Sequence, residues 1–258
     1  MAYQTIVVKE MPAAVQITFN RVAKKNTLTQ AFLRELSQAL DDAEKNDQCR
    51  LIILEGTGGF FCTGMDFNEA VSQYGSACAD TKQDAFSSVY MDTLRRMSLM
   101  NKIVVSKVEG QVMAGGVGIV AASDLVFATP GSAFTLSEAL WGLLPCCVTP
   151  YLIRRVGFQT AYRMTLTTMS VSAQEAHRTG LVDEISESPD DTIRKMLLRL
   201  KRIESSTIKE MKQYFRKMWI VNEDMESAAV AEISKLVCDQ TVQRNLKNFV
   251  ENKKLPWE

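Results

Sequence analysis

The segment Gln111–Asp124, QVMAGGVGIVAASD, constrains the fold more than any other part of the chain. It follows an apolar, β-branched run at Lys102–Val108, and its residues are small at first and then apolar. This pattern indicates a buried strand that turns into a buried helix, with the helix beginning at Gly115–Gly116. The first N–H groups of a helix have no partner within it. Here they are either donors to a carbonyl oxygen that becomes negative during a reaction, or part of a glycine-packed contact between helix and strand.

Strands and helices alternate along the chain, which indicates the α/β class. The predicted strands are Thr5–Val8, Val15–Phe19, Leu51–Leu54, Lys102–Val108, Leu125–Ala128, Ala133–Thr135 and Leu181–Ile185. Helices are predicted from Thr29, from about Gln83, and at Pro150–Val156, Ala161–Thr167, Ala173–Gly180, Ile193–Ile203, Thr207–Trp219 and Met225–Val250. Between Tyr74 and Gln83 we expect a loose loop, because the segment mixes small and polar residues.

The composition excludes several classes of function. Thirty basic and thirty acidic side chains give a formal net charge of zero, which provides no electrostatic basis for binding nucleic acid or a membrane surface. No apolar stretch reaches the length of a membrane span and the amino terminus does not resemble a signal peptide, so we expect a cytoplasmic protein. The cysteines are expected to be reduced and packed as small hydrophobic residues. They are Cys49, Cys62, Cys78, Cys146, Cys147 and Cys238.

Two further segments carry candidate chemistry. The glycine-rich segment Gly56–Phe67 follows a predicted strand and is a second place where backbone N–H groups can point into a pocket, without a phosphate-loop or dinucleotide pattern. Glu138 follows the strand Ala133–Thr135 among apolar residues. It is either a buried carboxylate, with a pKa raised toward the range useful for moving protons, or a solvated residue at a helix start. We interpret His177 as a solvated surface residue.

Four segments together resemble the crotonase, or enoyl-CoA hydratase/isomerase, superfamily. They are FFCTGMDF (Phe60–Phe67), AGGVGIVAASDLVFA (Ala114–Ala128), FTLSEALWGLLP (Phe134–Pro145) and AHRTGLVDEI (Ala176–Ile185). The resemblance implies a core of repeated ββα turns that form a spiral, over residues 1–190. It also implies a C-terminal helical region, residues 191–258, that is used for trimer assembly.

In that family two backbone N–H groups polarise a thioester carbonyl and stabilise the enolate formed from it. The matching positions are Met65, which follows Gly64, and Gly115, which precedes Gly116. Glu138 matches the second of the two glutamates that hydratases of the family carry. The resemblance therefore implies catalytic roles for Glu138, Met65 and Gly115.

Gly118 stands where the first glutamate of such hydratases is expected, three residues after Gly115. This departure argues against an ordinary two-carboxylate enoyl-CoA hydratase. A single buried carboxylate can still remove an α-proton and return it to a leaving hydroxyl on the same face, giving a syn dehydration. We expect Gly64, Gly116, Gly118 and Cys146 to bind substrate, with Gly118 leaving room for the 3-methyl and hydroxyl substituents of a branched substrate.

Within the family, the chain is most similar to the dehydratases of polyketide β-branching cassettes. The similarity lies in the AGG-x-G pattern, in FTLSEALWGLLPCCVTPYLIRRVG and in the terminal LPWE. Such enzymes act on a 3-hydroxy-3-methylglutaryl group held on an acyl carrier protein. We therefore expect a substrate carried as a phosphopantetheine or CoA thioester, no other cofactor, an acidic carrier protein as partner, and a homotrimer or dimer of trimers. The basic side chains between Arg194 and Lys217, or Arg154 and Arg155, are candidates for docking this partner, or else form solvated faces.

Two alternatives remain open at this point. The first is another enzyme of the family, such as an isomerase, a decarboxylase or a CoA hydratase. The second is a catalytically silent scaffold or RNA-binding relative, for which Gly118 is the best evidence. The presence of both donor positions together with Glu138 favours an enzyme. Candidates for a second proton-transfer group are Asp66, Tyr74, Tyr90 and Cys146.

Overall fold

The computed structural model describes residues 3–77, 85–219 and 221–258. The strands are β1 Ile6–Met11, β2 Ala14–Phe19, β3 Leu51–Gly56, β4 Phe60–Cys62, β5 Ile103–Val108, β6 Gln111–Met113, β7 Leu125–Ala128, β8 Ala133–Thr135, β9 Val171–Ser172 and β10 Glu184–Ile185. The helices are α1 Gln30–Lys45, α2 Phe67–Ala77, α3 Ala85–Leu99, α4 Gly115–Ala122, α5 Thr149–Val156, α6 Phe158–Thr167, α7 Ala173–Arg178, α8 Pro189–Leu200, α9 Ser205–Arg216, α10 Glu223–Val237 and α11 Gln240–Asn252.

Two sheets organise these elements. The larger sheet has the order β1-β2-β3-β5-β7-β10 and is parallel except for β1, which is antiparallel to β2. All six residues of β5 and the first four of β3 are buried, as expected for central parallel strands that are covered on both faces. The smaller sheet has the order β4-β6-β8-β9, and β4, β6 and β8 are parallel to one another. The mixed α/β fold predicted from the sequence is confirmed.

Helix α1 shows how the sequence directs an element onto the core. The hydroxyl of Thr29 accepts a hydrogen bond from the N–H of Phe32, which caps the helix as the sequence predicts. Phe32 and the apolar residues that follow it at helical spacing are buried, so one face of α1 packs into the main hydrophobic core. Burying each large apolar side chain contributes about 1.5 to 3 kcal/mol.

Two predicted elements differ from the structure. The single helix expected at Met225–Val250 is wrong, because the chain forms α10 and α11 with a break at Asp239. The carboxylate of Asp239 accepts hydrogen bonds from the N–H groups of Thr241 and Val242, and so begins a new helix. The strand expected at Leu181–Ile185 shortens to β10, because the N–H groups of residues 181 and 182 donate to a carbonyl of α7.

The loop expected after Tyr74 is also different where the structure describes it. Residues 74–77 complete α2 and are helical, so the expectation of a loose loop is wrong for them. Residues 78–84, which include Cys78, lie outside the described residues. Four of the other cysteines are free, namely Cys49, Cys62, Cys146 and Cys147. The expectation of a reduced thiol is wrong for Cys238, which is disulfide-bonded.

The helices from α8 onward pack onto the sheets and helices that precede them. Ile193 of α8 and Ile208 of α9 join a core cluster of the larger sheet, and Val230 of α10 joins the main core. The carboxylate of Glu226 in α10 is buried and accepts hydrogen bonds from the hydroxyl of Tyr151, at 2.7 Å, and from Arg216, at 2.9 Å. This cluster joins α5, α9 and α10. Among the described helices, none has both the length and the apolar character that a membrane crossing requires.

Candidate active site

Three parallel strands of the smaller sheet end at one edge, and each leads into a residue that the sequence places in the site. Met65 follows β4, Gly115 begins α4 directly after β6, and Glu138 follows β8. All three line a cavity of about 100 Å³. The carboxyl ends of parallel strands commonly form ligand sites, because they bring loops from distant parts of the chain together. The structure therefore brings together residues that are far apart in sequence.

The N–H group of Met65 points away from the neighbouring segment at Leu28. Leu28 pairs with Met65 in a parallel bridge. In this bridge the N–H of Leu28 donates to the carbonyl of Gly64 at 2.8 Å, and the N–H of Asp66 donates to the carbonyl of Leu28 at 2.9 Å. Because successive N–H groups of an extended segment point to opposite sides, the Met65 N–H faces away from Leu28.

The second donor is the N–H of Gly115, at the start of α4. The preceding residue, Ala114, has φ +48° and ψ −124°, a conformation that is uncommon for a residue with a side chain. Its N–H donates to the carbonyl of Thr135 in β8 at 2.9 Å, which holds the turn against the sheet. The Gly115 N–H is the first of the helix and has no partner within it. The helix dipole adds positive potential at the same point.

The two donor segments are in direct contact. A Cβ atom built on Gly64 would lie 2.6 Å from the Cβ of Ala114 and 3.2 Å from the nitrogen of Gly115, and Gly64 has φ +82°. Both the close approach and the positive φ require glycine at this position. Gly64 therefore allows the loop that carries Met65 to lie against the turn that carries Gly115.

Glu138 supplies a buried carboxylate in the same cavity. Its Oε2 atom is buried and has no hydrogen-bond partner among the described residues. Burial raises the pKa of Glu138 to about 7, and the backbone N–H groups of Glu138 and Ser137 offset only part of this effect. A carboxyl group with this pKa can both accept and donate a proton near neutral pH, which is the property that general acid–base catalysis requires.

The rest of the cavity is mainly apolar. Its wall includes the side chains of Leu28, Phe67, Phe86, Trp141, Leu143 and Val148. The thiol of Cys146 also borders the cavity, and burial raises its pKa to about 11, so it remains neutral near neutral pH. Helix α10 contributes Ile233 and Val237. An apolar wall with few polar groups suits an acyl chain whose reacting carbonyl is held by backbone donors.

The three glycines expected to bind substrate, Gly64, Gly116 and Gly118, are not among the residues that line the cavity. A Cβ on Gly116 would lie 2.4 Å from the carbonyl oxygen of Cys62, so this glycine allows α4 to pack against β4. A Cβ on Gly118 would lie 2.1 Å from the hydroxyl oxygen of Tyr90. Tyr90, and not Gly118, lines the cavity. The room that we expected Gly118 to leave for a branched substrate is therefore filled by a tyrosine.

Other candidate residues have structural partners elsewhere. Burial alone would raise the pKa of Asp66, but hydrogen bonds from Arg21, Asn68 and Thr27 outweigh burial and lower it. Asp66 thus holds the loop that presents the Met65 N–H. His177 is exposed, as the sequence indicates, and its Nδ1 lies 3.0 Å from a backbone carbonyl oxygen. The side chain of Tyr74 lies outside the described part of the structure.

Part of the basic run Arg194–Lys217 points into the protein. The Nζ atom of Lys212 lies 2.6 Å from the carboxylate of Asp124 and donates to two backbone carbonyls. Arg216 donates to the buried Glu226. These two cations serve internal contacts and are not available to a docking partner, which limits the docking hypothesis to the exposed members of the run.

The pair Arg154 and Arg155 is also tied to the protein interior. Arg154 donates to the carbonyls of Ala121 and Ser123 at the end of α4, and its guanidinium lies 4.3 Å from the ring centroid of Trp219. Arg155 donates to the carboxylate of Asp183 and to two backbone carbonyls. Both arginines therefore cap and connect helices, and a docking role for them finds no support.

The sequence model of the enoyl-CoA hydratase/isomerase family matches residues 10–258. The chain belongs to this family. It is also 34% identical over 258 residues, covering 100% of this chain and 98% of the relative, to the bacillaene synthase dehydratase PksH of Bacillus subtilis. The crystal structure of pksH from Bacillus subtilis superposes with a TM-score of 0.91 at 33% identity, over 99% of this chain and 100% of that chain.

A more distant relative is the enoyl-CoA hydratase EchA19 of Mycobacterium tuberculosis, which is 31% identical over 170 residues, or 66% of this chain and 63% of that protein. The resemblance to the crotonase family that the sequence motifs indicate is thus confirmed, and with it the expectation of an enzyme of the hydro-lyase type. The motifs did not reveal Leu28, which aligns the Met65 loop, or the α10 side chains of the cavity wall. These residues lie outside the four motif segments and have ordinary apolar side chains.

Proposed function

We propose that the chain dehydrates a 3-hydroxy-3-methylglutaryl thioester on an acyl carrier protein to the 3-methylglutaconyl thioester, as a step of polyketide β-branching. The observation that carries this proposal is the buried Oε2 of Glu138, which has no partner among the described residues, in a residue that lines the same cavity as Met65 and Gly115. The relative PksH, named a bacillaene synthase dehydratase, supports a dehydration in polyketide biosynthesis.

In the proposed reaction the thioester carbonyl oxygen accepts hydrogen bonds from the N–H groups of Met65 and Gly115. Glu138 removes a proton from the carbon next to the carbonyl, and the negative charge moves onto the carbonyl oxygen as an enolate. Preorganised donors at such an oxygen are each worth on the order of 3 kcal/mol of the barrier. The enolate then collapses to form the C2–C3 double bond while the C3–O bond breaks. Glu138 returns its proton to the departing hydroxide, which leaves as water.

A single carboxyl group is sufficient for this sequence of steps. Its pKa of about 7 allows Glu138 to act as a base in the first step and as an acid in the second. Because the same group removes and returns the proton, both events occur on one face of the substrate. The proposal needs no cofactor other than the phosphopantetheine or CoA arm that carries the acyl group.

We also propose that the chain assembles as a homotrimer or a dimer of trimers, with residues 1–190 as the spiral core and 191–258 as the helical region used in assembly. Two helices expose apolar faces that a partner copy would cover. On α6 these are Phe158, Tyr162 and Leu166, and on α9 they are Met211, Tyr214 and Phe215, with Met218 in the turn that follows α9. The natural partner is an acyl carrier protein, and its docking surface would use the exposed members of the basic run.

Two substrates offered in parallel test the proposed reaction. Purified protein is incubated with 3-hydroxy-3-methylglutaryl carrier protein and, separately, with crotonyl-CoA, and the products are followed by mass spectrometry. Loss of one water from the carrier-bound substrate, with slow or absent hydration of crotonyl-CoA, is the expected result. Rapid hydration of crotonyl-CoA alone would assign the chain to the ordinary hydratases. No change in either substrate would support a silent family member. Glu138→Gln serves as the control for chemistry that depends on the site.

A further inference from the structure

Tyr90 lines the site and has no role in the mechanism above. It belongs to α3, is 5% exposed, and lines the cavity together with Glu138 and Gly115. Its hydroxyl donates a hydrogen bond to the backbone carbonyl of Gly115 at 2.5 Å. The residue that bears the second N–H donor is therefore itself held by a tyrosine from a different helix.

Gly118 has no side chain, and the Tyr90 hydroxyl occupies the space that a side chain there would need. A Cβ at Gly118 would lie 2.1 Å from the hydroxyl oxygen of Tyr90 and 3.2 Å from its Cζ, and 3.1 Å from a methyl group of Val148. Because 2.1 Å is far inside van der Waals contact, any side chain at residue 118 displaces the hydroxyl. Without the hydroxyl oxygen, the remaining contacts are tight but can be relieved by small shifts. The Tyr90 hydroxyl can therefore keep its position only while residue 118 is glycine.

We infer that Tyr90 is a positioning residue that acts through Gly115, and that residue 118 is glycine so that the Tyr90 hydroxyl can reach the Gly115 carbonyl. This inference rests on the proposed function in one respect, namely that the Gly115 N–H stabilises a thioester enolate. It replaces the earlier expectation that Gly118 makes room for the substrate.

The chemistry of the hydroxyl agrees with a positioning role. Tyr90 is surrounded by protein, and burial raises its pKa well above the ordinary value of 10.0. The nearby Cys147, Cys62 and Glu138 add to the effect. The hydroxyl therefore remains protonated throughout the working pH range, and it donates to the Gly115 carbonyl instead of accepting a proton from the substrate. A group that only donates can fix the turn at Gly115 without taking part in proton transfer.

The first test removes the hydroxyl from each of two buried tyrosines, one that lines the cavity and one that does not. In Tyr90→Phe the ring remains and only the hydrogen bond to Gly115 is lost. We expect kcat for the carrier-bound substrate to fall about tenfold, on the scale of one buried hydrogen bond, with KM changed by less than about twofold. Tyr151→Phe removes another buried hydroxyl, which donates to Glu226, in a residue that does not line the cavity. It should lower thermal stability and leave kcat unchanged. Equal kcat for Tyr90→Phe and wild type would overturn the inference.

The second test measures the dependence between residues 90 and 118. Gly118→Ala in the wild type should lower kcat at least as much as Tyr90→Phe, because the new methyl group displaces the hydroxyl. In the Tyr90→Phe background the same change should lower kcat by less than about twofold, because the hydroxyl is already gone. Independent losses that multiply in the double variant would contradict the inference. Gly118→Ala alone displaces the hydroxyl, so an unchanged kcat in that variant would overturn the inference even if Tyr90→Phe folds poorly.

A binding measurement separates this inference from the proposed function. Acetoacetyl-CoA forms an enolate whose ultraviolet absorption reports an oxyanion site, whatever the natural substrate is. Tyr90→Phe should bind the enolate about tenfold more weakly than wild type, and Tyr151→Phe should bind it equally well. If wild type binds the enolate but does not dehydrate the branched substrate, the proposed function fails and the positioning role can still be tested. If the enolate binds wild type and Tyr90→Phe equally, the positioning role fails alone.

Discussion

The buried carboxyl group of Glu138 should cost the folded protein free energy, and its replacement by glutamine measures that cost. Burial raises the pKa of Glu138 from 4.5 to about 7. In the unfolded chain the group ionises near its ordinary pKa, whereas in the fold it keeps its proton up to about pH 7. The free energy of unfolding therefore falls as the pH rises between these two values. Above about pH 7 the full loss is reached, and at about 1.4 kcal/mol per pKa unit it amounts to about 3 kcal/mol.

Glutamine has nearly the same shape and does not titrate, so Glu138→Gln avoids this loss. We compare the free energy of unfolding of the variant with that of the wild type at two pH values. The difference should favour the variant by about 2.5 kcal/mol more at about pH 8 than at about pH 5. Urea unfolding followed by circular dichroism, at one protein concentration, gives both values. Glu232→Gln on α10 is the matched control, because that side chain is 47% exposed and its replacement removes no buried carboxyl group. A pH-independent effect of Glu138→Gln would refute the description of Glu138 as a desolvated carboxyl group.

Three further outcomes are expected. The kcat/KM for dehydration should fall about tenfold from about pH 8 to pH 6, because the base form of Glu138 is lost below its pKa of about 7. Glu138→Gln should be at least about a hundredfold slower, and its rate should not show this pH dependence. Gly115→Pro removes the proposed oxyanion donor and should abolish turnover in a variant whose circular dichroism spectrum is unchanged. The control is Gly131→Pro, which should remain active because a Cβ at residue 131 has open space around it. Persistent activity in folded Gly115→Pro would disprove the donor assignment. Tyr162→Asp places a charge on the apolar face of α6 and should shift the protein toward monomers in analytical ultracentrifugation. An unchanged sedimentation coefficient would show that this face is not in an interface.

The fold was predictable wherever the sequence pattern is long and regular. The alternating apolar residues of β2, the buried run of β3 and the amphipathic α1 are each specified by their own residues, and all three are found. The strands β4, β6 and β9 contain only two or three residues each, too few to show any period. The break between α10 and α11 depends on a single aspartate cap within a segment that is otherwise helical in pattern.

The site was predictable in its parts but not in its arrangement. The motifs indicated Met65, Gly115 and Glu138, each of which follows a strand, and the structure places all three in the wall of one cavity. The place of Gly118 was not predictable, since a glycine in sequence shows only that no side chain is present. Which neighbour fills that space depends on how α3 packs against α4, and Tyr90 comes from a helix 25 residues before Gly115.

The contact between Gly64 and Ala114 limits how closely the loops that carry Met65 and Gly115 can approach each other. The loops that carry Met65 and Gly115 are in van der Waals contact, with a missing side chain at Gly64 and a methyl group at Ala114. Steric contact resists compression steeply, whereas a hydrogen bond between the segments would tolerate a range of lengths. The N–H groups of Met65 and Gly115 therefore cannot move closer together without a steric clash between these loops. We therefore expect other substrates to be accommodated more readily by changes in the cavity wall than by changes in the spacing of these two N–H groups.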